Sequence, residues 1–149
     1  MLILTVCTGN TCRSPMAEGI LKEMISKKGL DIEVKSAGIF AVNGANASNN
    51  SIMALKEIGI DISEHRSNLI DEELIRKSDL ILTMTNSHKQ GLINRFPDAR
   101  DKIFLLYEYS EGIPKDIIDP FGGSLVEYKI VRDEIYNAVE SVIKKISEE

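Results

Sequence analysis

Val6-Cys7-Thr8-Gly9-Asn10-Thr11-Cys12-Arg13-Ser14-Pro15 is the stretch from which the rest of this chain can be read. It follows Leu2-Ile3-Leu4-Thr5-Val6, a short apolar run of residues that strands favour. Beyond it, Met16, Ala17, Ile20, Leu21, Met24 and Ile25 recur at helical spacing. Pro15 suits the first position of that helix, where its missing N–H costs nothing. The reading is strand, tight loop, helix N-terminus, with a cysteine opening the loop and an arginine closing it.

Such a loop is built to hold an anion. Backbone N–H groups of a short turn leading into a helix converge on one point, and the helix dipole adds positive potential there. Gly9 allows a tight turn, and Asn10 tolerates a left-handed backbone that few residues accept. Arg13 offers a planar fork matched to two phosphate oxygens. Cys7 is placed under the phosphorus, its thiolate favoured by the amides, by Arg13 and by the Ser14 hydroxyl. Cys7 and Arg13 are therefore the candidate catalytic pair, with Thr8, Gly9, Asn10, Thr11, Cys12 and Ser14 as phosphate binders. A cysteine after a strand is often only a small core hydrophobe, and Cys-x5-Arg alone says little. The strand before, Gly-Asn within and Arg-Ser-Pro after carry the reading. The run is not a Walker loop, which needs Gly-x4-Gly-Lys-Ser/Thr.

The 149 residues fit one domain, 1–149, with a core that needs no staples. At 43% hydrophobic and 28% charged the composition is that of a globular protein. A net charge of −5 argues against a nucleic-acid surface. No apolar run approaches the roughly 20 residues that span a bilayer. The N-terminus has neither a basic n-region nor a cleavage site, so no signal peptide and a cytoplasmic location are expected. Both cysteines, Cys7 and Cys12, lie in the loop. A disulfide closing so short a loop would stabilise almost nothing, and two cysteines without nearby histidines make a poor zinc site, so no metal and no cofactor are expected. Cys12 is either a redox partner that traps oxidised Cys7 as a disulfide, or simple loop packing.

Along the chain, Lys27-Lys28-Gly29 ends the first helix. Ile32-Glu33-Val34-Lys35 alternates as a second strand and runs into Ser36-Ala37-Gly38-Ile39-Phe40. The Asn43 to Ser51 stretch reads as a loop leading into a helix over Ile52 to Ile58, stopped at Gly59. A short helix around Asp71 to Lys77 precedes Asp79-Leu80-Ile81-Leu82-Thr83-Met84, which has the continuous apolarity of a buried parallel strand. A helix from Thr85 or Asn86 to before Pro97 follows, then a fourth strand, Ile103-Phe104-Leu105-Leu106. A long amphipathic helix from Ser124 closes the chain and is expected to expose Tyr128 and Tyr136. His65 reads as structural, and His88 as a surface residue. The alternation predicts a doubly wound α/β domain with a four-stranded parallel sheet, order 2-1-3-4, and helices on both faces. Its ligand site falls at the strand C-termini where the winding reverses, which is where the Cys7 loop lies.

Between the fourth strand and the last helix stands Ile117-Ile118-Asp119-Pro120-Phe121-Gly122-Gly123. Taken alone, Asp119-Pro120 is a turn. With Val6 to Glu18 and Ser36-Ala37-Gly38, in that order along the chain, it resembles the low-molecular-weight protein tyrosine phosphatase family. The resemblance implies that Asp119 is a general acid, that Ser36 supports the phosphate loop and that Phe40 forms a pocket wall, although Phe40 reads equally as loop packing. It also favours the protective role for Cys12. Family members acting on phosphotyrosine carry an aliphatic residue where Thr11 stands and a tyrosine where Phe121 stands. Thr11 and Phe121, the latter a second wall, resemble instead the bacterial branch that removes phosphate from protein arginine. Phosphorylated proteins are the expected substrates, with phosphoarginine favoured over phosphotyrosine. Nucleic acid and membrane are not expected partners, and no oligomeric state is assigned. An arsenate reductase would need further cysteines, and a non-catalytic binding module would lack Cys7 or Asp119.

Overall fold

The structure, a computed structural model, describes residues 1–148. Four strands form one parallel sheet: β1 (Leu2–Cys7), β2 (Glu33–Gly38), β3 (Leu80–Thr83) and β4 (Ile103–Leu105), in the order β2-β1-β3-β4. The doubly wound order expected from the sequence is the one observed. Around the sheet run α1 (Arg13–Lys28), α2 (Asn49–Glu57), α3 (Glu72–Lys77), α4 (Asn86–Arg95), α5 (Leu106–Glu111) and α6 (Leu125–Ser147). A 3₁₀ turn over Pro97–Lys102 leads into β4. Among the described residues, no helix is long and apolar enough to cross a membrane.

Every residue of β1 is buried, because both faces of a central parallel strand are covered. Ile3 and Cys7 face a cluster built with Met16, Ile20 and Leu21 of α1 and Ile135, Val139 and Val142 of α6. Leu4 and Val6, pointing the other way, pack with Ile75 of α3, Leu92 of α4 and Ile81 and Ile103 of the sheet. Burying one leucine or isoleucine is worth about 1.5–3 kcal/mol, so these two layers fix the strand that delivers Cys7.

Several boundaries differ from those read in the sequence. Helix α1 starts at Arg13, so Pro15 is its third residue rather than its first. The first turn tolerates proline at any of these positions because its N–H groups have no helical acceptor. Helix α2 starts at Asn49, three residues early, because the Ser48 hydroxyl accepts from Ser51 N–H and caps it there. Strand β2 extends through Ser36-Ala37-Gly38, pairing Cys7 with Gly38. Leu106 leaves the sheet and opens α5, where Glu108 Oε1 accepts the Leu105 N–H.

Candidate active site

Beyond β1 the loop is held by its own side chains. Asn10 takes φ 58°, the only non-glycine residue with positive φ among those described. It is fully buried: Nδ2 donates to Ser14 Oγ at 2.8 Å, and Oδ1 accepts the Asn68 N–H at 2.8 Å. Ser14 Oγ also lies 2.9 Å from Cys7 Sγ. On the β2 side the chain passes so close that a Cβ on Gly38 would stand 2.5 Å from Thr8 O and 2.9 Å from Asn10 N. Only glycine lets the two backbones meet. The N–H groups of Ile39 and Phe40 then donate to the carbonyls of Cys7 and Thr8. Among the described residues no protein acceptor takes the N–H of Gly9, Asn10 or Thr11, so these donors are free for a ligand.

Beneath the loop lies a network anchored on Glu18 of α1. Ser36 Oγ donates to Glu18 Oε1 at 2.6 Å, Lys22 Nζ pairs with Oε2 at 2.8 Å, and His65 Nδ1 stands 3.6 Å from Oε1. The other nitrogen of His65, Nε2, donates to Asn10 O at 2.8 Å. Burial alone would raise the Glu18 pKa, but the hydrogen bonds from His65, Lys22 and Ser36 outweigh it and hold the carboxyl below its ordinary value. The Ser36 hydroxyl therefore reaches the loop through Glu18 and His65, while its carbonyl accepts from Nδ2 of Asn68, whose N–H donates to Asn10. His65 is structural, as expected, and it links the loop carbonyl to an acid, Glu18, that is near in space and far in sequence.

The Asp119 segment is tied down at three points. Ile117 N–H donates to Met84 O at the end of β3, and Asp116 Oδ1 accepts from Asn86 N–H at the start of α4, both at 2.8 Å. Arg13 Nη1 donates to Ile117 O at 2.9 Å, while Nη2 stands 3.6 Å from Asp119 Oδ2. Arg13 is 5% exposed and Asp119 is 49% exposed, so a buried cation holds a carboxylate at the solvent boundary. The Phe121 N–H donates to Asp119 Oδ1 at 3.0 Å, turning the chain at Pro120.

Cys7, Thr8, Gly9, Thr11, Cys12, Arg13, Asp119 and Phe121 converge on one cavity of about 250 Å³. Asn10 and Ser14, also expected to bind phosphate, are fully buried and do not line it. Their side chains shape the loop. Phe40 does not line it either: its ring is exposed, and only its N–H reaches the loop. Both cysteines are free and buried, and Cys12 Sγ sits 3.4 Å from the Tyr128 hydroxyl and 3.6 Å from Ser48 Oγ. Tyr128 is thus buried against the loop, not exposed as its helix position suggested. His88 is buried too, with Nε2 2.8 Å from Thr8 Oγ1. A buried thiol, a guanidinium and a half-exposed carboxyl around one small cavity have the chemistry to serve as a nucleophile, an anion binder and a proton carrier.

The family model for low molecular weight phosphotyrosine protein phosphatase matches residues 2–149. The chain belongs to that family. A protein-arginine-phosphatase of Bacillus subtilis is 43% identical over 149 residues, covering 100% of this chain and 99% of the relative. The low molecular weight protein-tyrosine-phosphatase PtpB of Staphylococcus haemolyticus is 42% identical over 129 residues, 87% of this chain and 88% of that protein. Among solved structures, the YwlE arginine phosphatase, as a C7S mutant with a phosphorylated active-site serine, superposes with a TM-score of 0.97 at 42% identity, covering 100% of this chain and 97% of that one. In this phosphatase family fold, the loop from Cys7 to Arg13 occupies the switch between β1 and β3, where the winding of the sheet reverses.

Proposed function

We propose that this chain is a cysteine-dependent protein phosphatase that favours phosphoarginine. The observation that carries the reading is the convergence of Cys7, Arg13 and Asp119 on one cavity, with Thr11 on its lining. Cys7 attacks phosphorus in line with the leaving atom. The free N–H groups of the loop and the Arg13 guanidinium hold the equatorial oxygens as charge builds on them. Asp119 gives a proton to the departing nitrogen or oxygen, then takes one from the water that cleaves the cysteinyl-phosphate. The Arg13 pairing and the Phe121 N–H orient that carboxyl before substrate arrives.

For the substrate, Thr11 supplies a hydroxyl where a guanidinium-like leaving group has N–H donors to satisfy. One such contact contributes about 0.5–1.5 kcal/mol, enough to bias a choice. The 43% identity to a protein-arginine-phosphatase supports the same reading. Phosphotyrosine is the second reading, supported by the 42% identity to a low molecular weight protein-tyrosine-phosphatase. With only Cys7 and Cys12 in the sequence, nothing carries a disulfide onward as arsenate reduction requires. Two free thiols fit action on phosphorylated proteins in a reducing cytoplasm, with Cys12 as the thiol that captures oxidised Cys7.

Rapid quenching in denaturant during turnover tests the mechanism. Mass spectrometry is expected to find phosphate on the peptide that carries Cys7. Turnover is expected to vanish in Cys7→Ser and to slow about a hundredfold in Asp119→Asn. Turnover surviving in Cys7→Ser would discard the mechanism.

A further inference from the structure

Thr8 follows the nucleophile in the chain, is exposed, and lines the cavity. Its Oγ1 lies 2.8 Å from Nε2 of His88, 80 residues away in the first turn of α4. The other ring nitrogen, Nδ1, is buried and meets no partner among the described residues. A neutral imidazole carries one N–H. A buried N–H left without an acceptor is rarer than an acceptor left without a donor, so the proton belongs on Nε2, which donates to Thr8 Oγ1. The hydroxyl's own hydrogen is then not spent on His88. Burial, and after it the Arg13 guanidinium, lower the His88 pKa to about 4, so the ring is neutral at neutral pH and this arrangement persists.

We propose that His88 is a positioning residue that fixes the Thr8 hydroxyl as a hydrogen-bond donor to the phosphoryl group over Cys7. The Thr8 side chain, and not only its backbone, then belongs to the phosphate subsite. The proposal rests on the phosphatase reading and adds to it a contact that reaches the phosphate from α4. Threonine at this position also explains an otherwise costly feature. A histidine with one buried, unsatisfied nitrogen is a burden on the fold, and here it is kept where its other nitrogen orients a cavity hydroxyl.

The test measures kcat/KM for p-nitrophenyl phosphate and calorimetric binding of inorganic phosphate, with Tm recorded for each variant. His88→Ala and Thr8→Val are each expected to lose about tenfold in both, the loss of one hydrogen bond. The double variant is expected to lose no more than Thr8→Val alone. His88→Gln, whose amide nitrogen reaches as far as Nε2, is expected to restore most of the loss, and His88→Asn, which is shorter, is not. Thr8→Ser keeps the hydroxyl and is expected to recover most of what Thr8→Val loses. A Thr8→Val variant that binds phosphate as the parent does would overturn the proposal, as would additive losses in the double variant. A parent without turnover would sink the phosphatase reading instead, and the phosphate-binding series would still decide the Thr8 subsite.

Discussion

The Ser14 hydroxyl lies 2.9 Å from the Cys7 sulfur, and its oxygen already accepts a hydrogen bond from Asn10 Nδ2. Asn10 fills one of that oxygen's two acceptor positions, which leaves the Ser14 hydrogen available to Cys7 Sγ. Asn10 thus orients Ser14, and Ser14 prepares the nucleophile. Ser14→Ala is expected to slow inactivation by iodoacetate at neutral pH and to lower kcat by about tenfold. Unchanged rates in both assays would show that the serine only packs.

Gly38 sets how closely β2 approaches the loop. An added methyl would press on Thr8 O and Asn10 N, two backbone atoms that cannot step aside. Gly38→Ala is expected to cost about 1–3 kcal/mol, the range for overpacking, read by urea unfolding, and to lower turnover with it. Gly44, with nothing near its Cβ position, is the contrast: strain from its φ of 90° would cost stability but leave the loop untouched.

Arg13 works through two different nitrogens, one donating a hydrogen bond to the Ile117 carbonyl and one forming an ion pair with Asp119. Lysine keeps the charge but not the fork. Arg13→Lys is expected to lose about a hundredfold or more in kcat/KM, comparable to removing an oxyanion donor, with little change in Tm. A loss confined to KM would mean that the guanidinium binds substrate and transition state equally.

His88 and Glu18 shape the acid limb of stability. His88 has a folded pKa of about 4 against an ordinary 6.5, from burial first and Arg13 second, with Asp116 and Asp119 opposing. Between those values the unfolded chain takes up a proton that the folded chain refuses, so stability falls as pH drops from about 6.5 to about 4. Glu18, held below its ordinary value by His65, Lys22 and Ser36 despite burial, contributes stability above about pH 4.5 that is lost as pH falls through its folded pKa. Tm measured from pH 7 to 4 should decline throughout, and His88→Gln should flatten the upper part of the decline. A parallel decline in that variant would mean that His88 does not set it.

Sequence periodicity reveals the sheet because β1 and β3 are buried on both faces and read as unbroken apolar runs. The Cys7 to Arg13 loop is legible because all its parts are local. What escapes is held by contacts across the fold. His65 meets Asn10 at a separation of 55 residues, His88 meets Thr8 at 80, and Tyr128 meets Cys12 at 116. No pattern near any of these residues announces its partner. The inward turn of the Asn10 and Ser14 side chains is hidden for a related reason: residue type places them in the loop, but only the fold shows where their side chains go. Helix α5 is hidden because Leu105-Leu106 continues the apolar run of β4 while the Glu108 side chain already caps a helix there.

The preference for phosphoarginine turns on Thr11, and one comparison decides it. kcat/KM is measured on matched phosphoarginine and phosphotyrosine peptides, with the parent and Thr11→Ile side by side. The parent is expected to prefer phosphoarginine, and Thr11→Ile to shift the preference towards phosphotyrosine. A parent that prefers phosphotyrosine, with Thr11→Ile leaving that preference unmoved, would overturn the assignment.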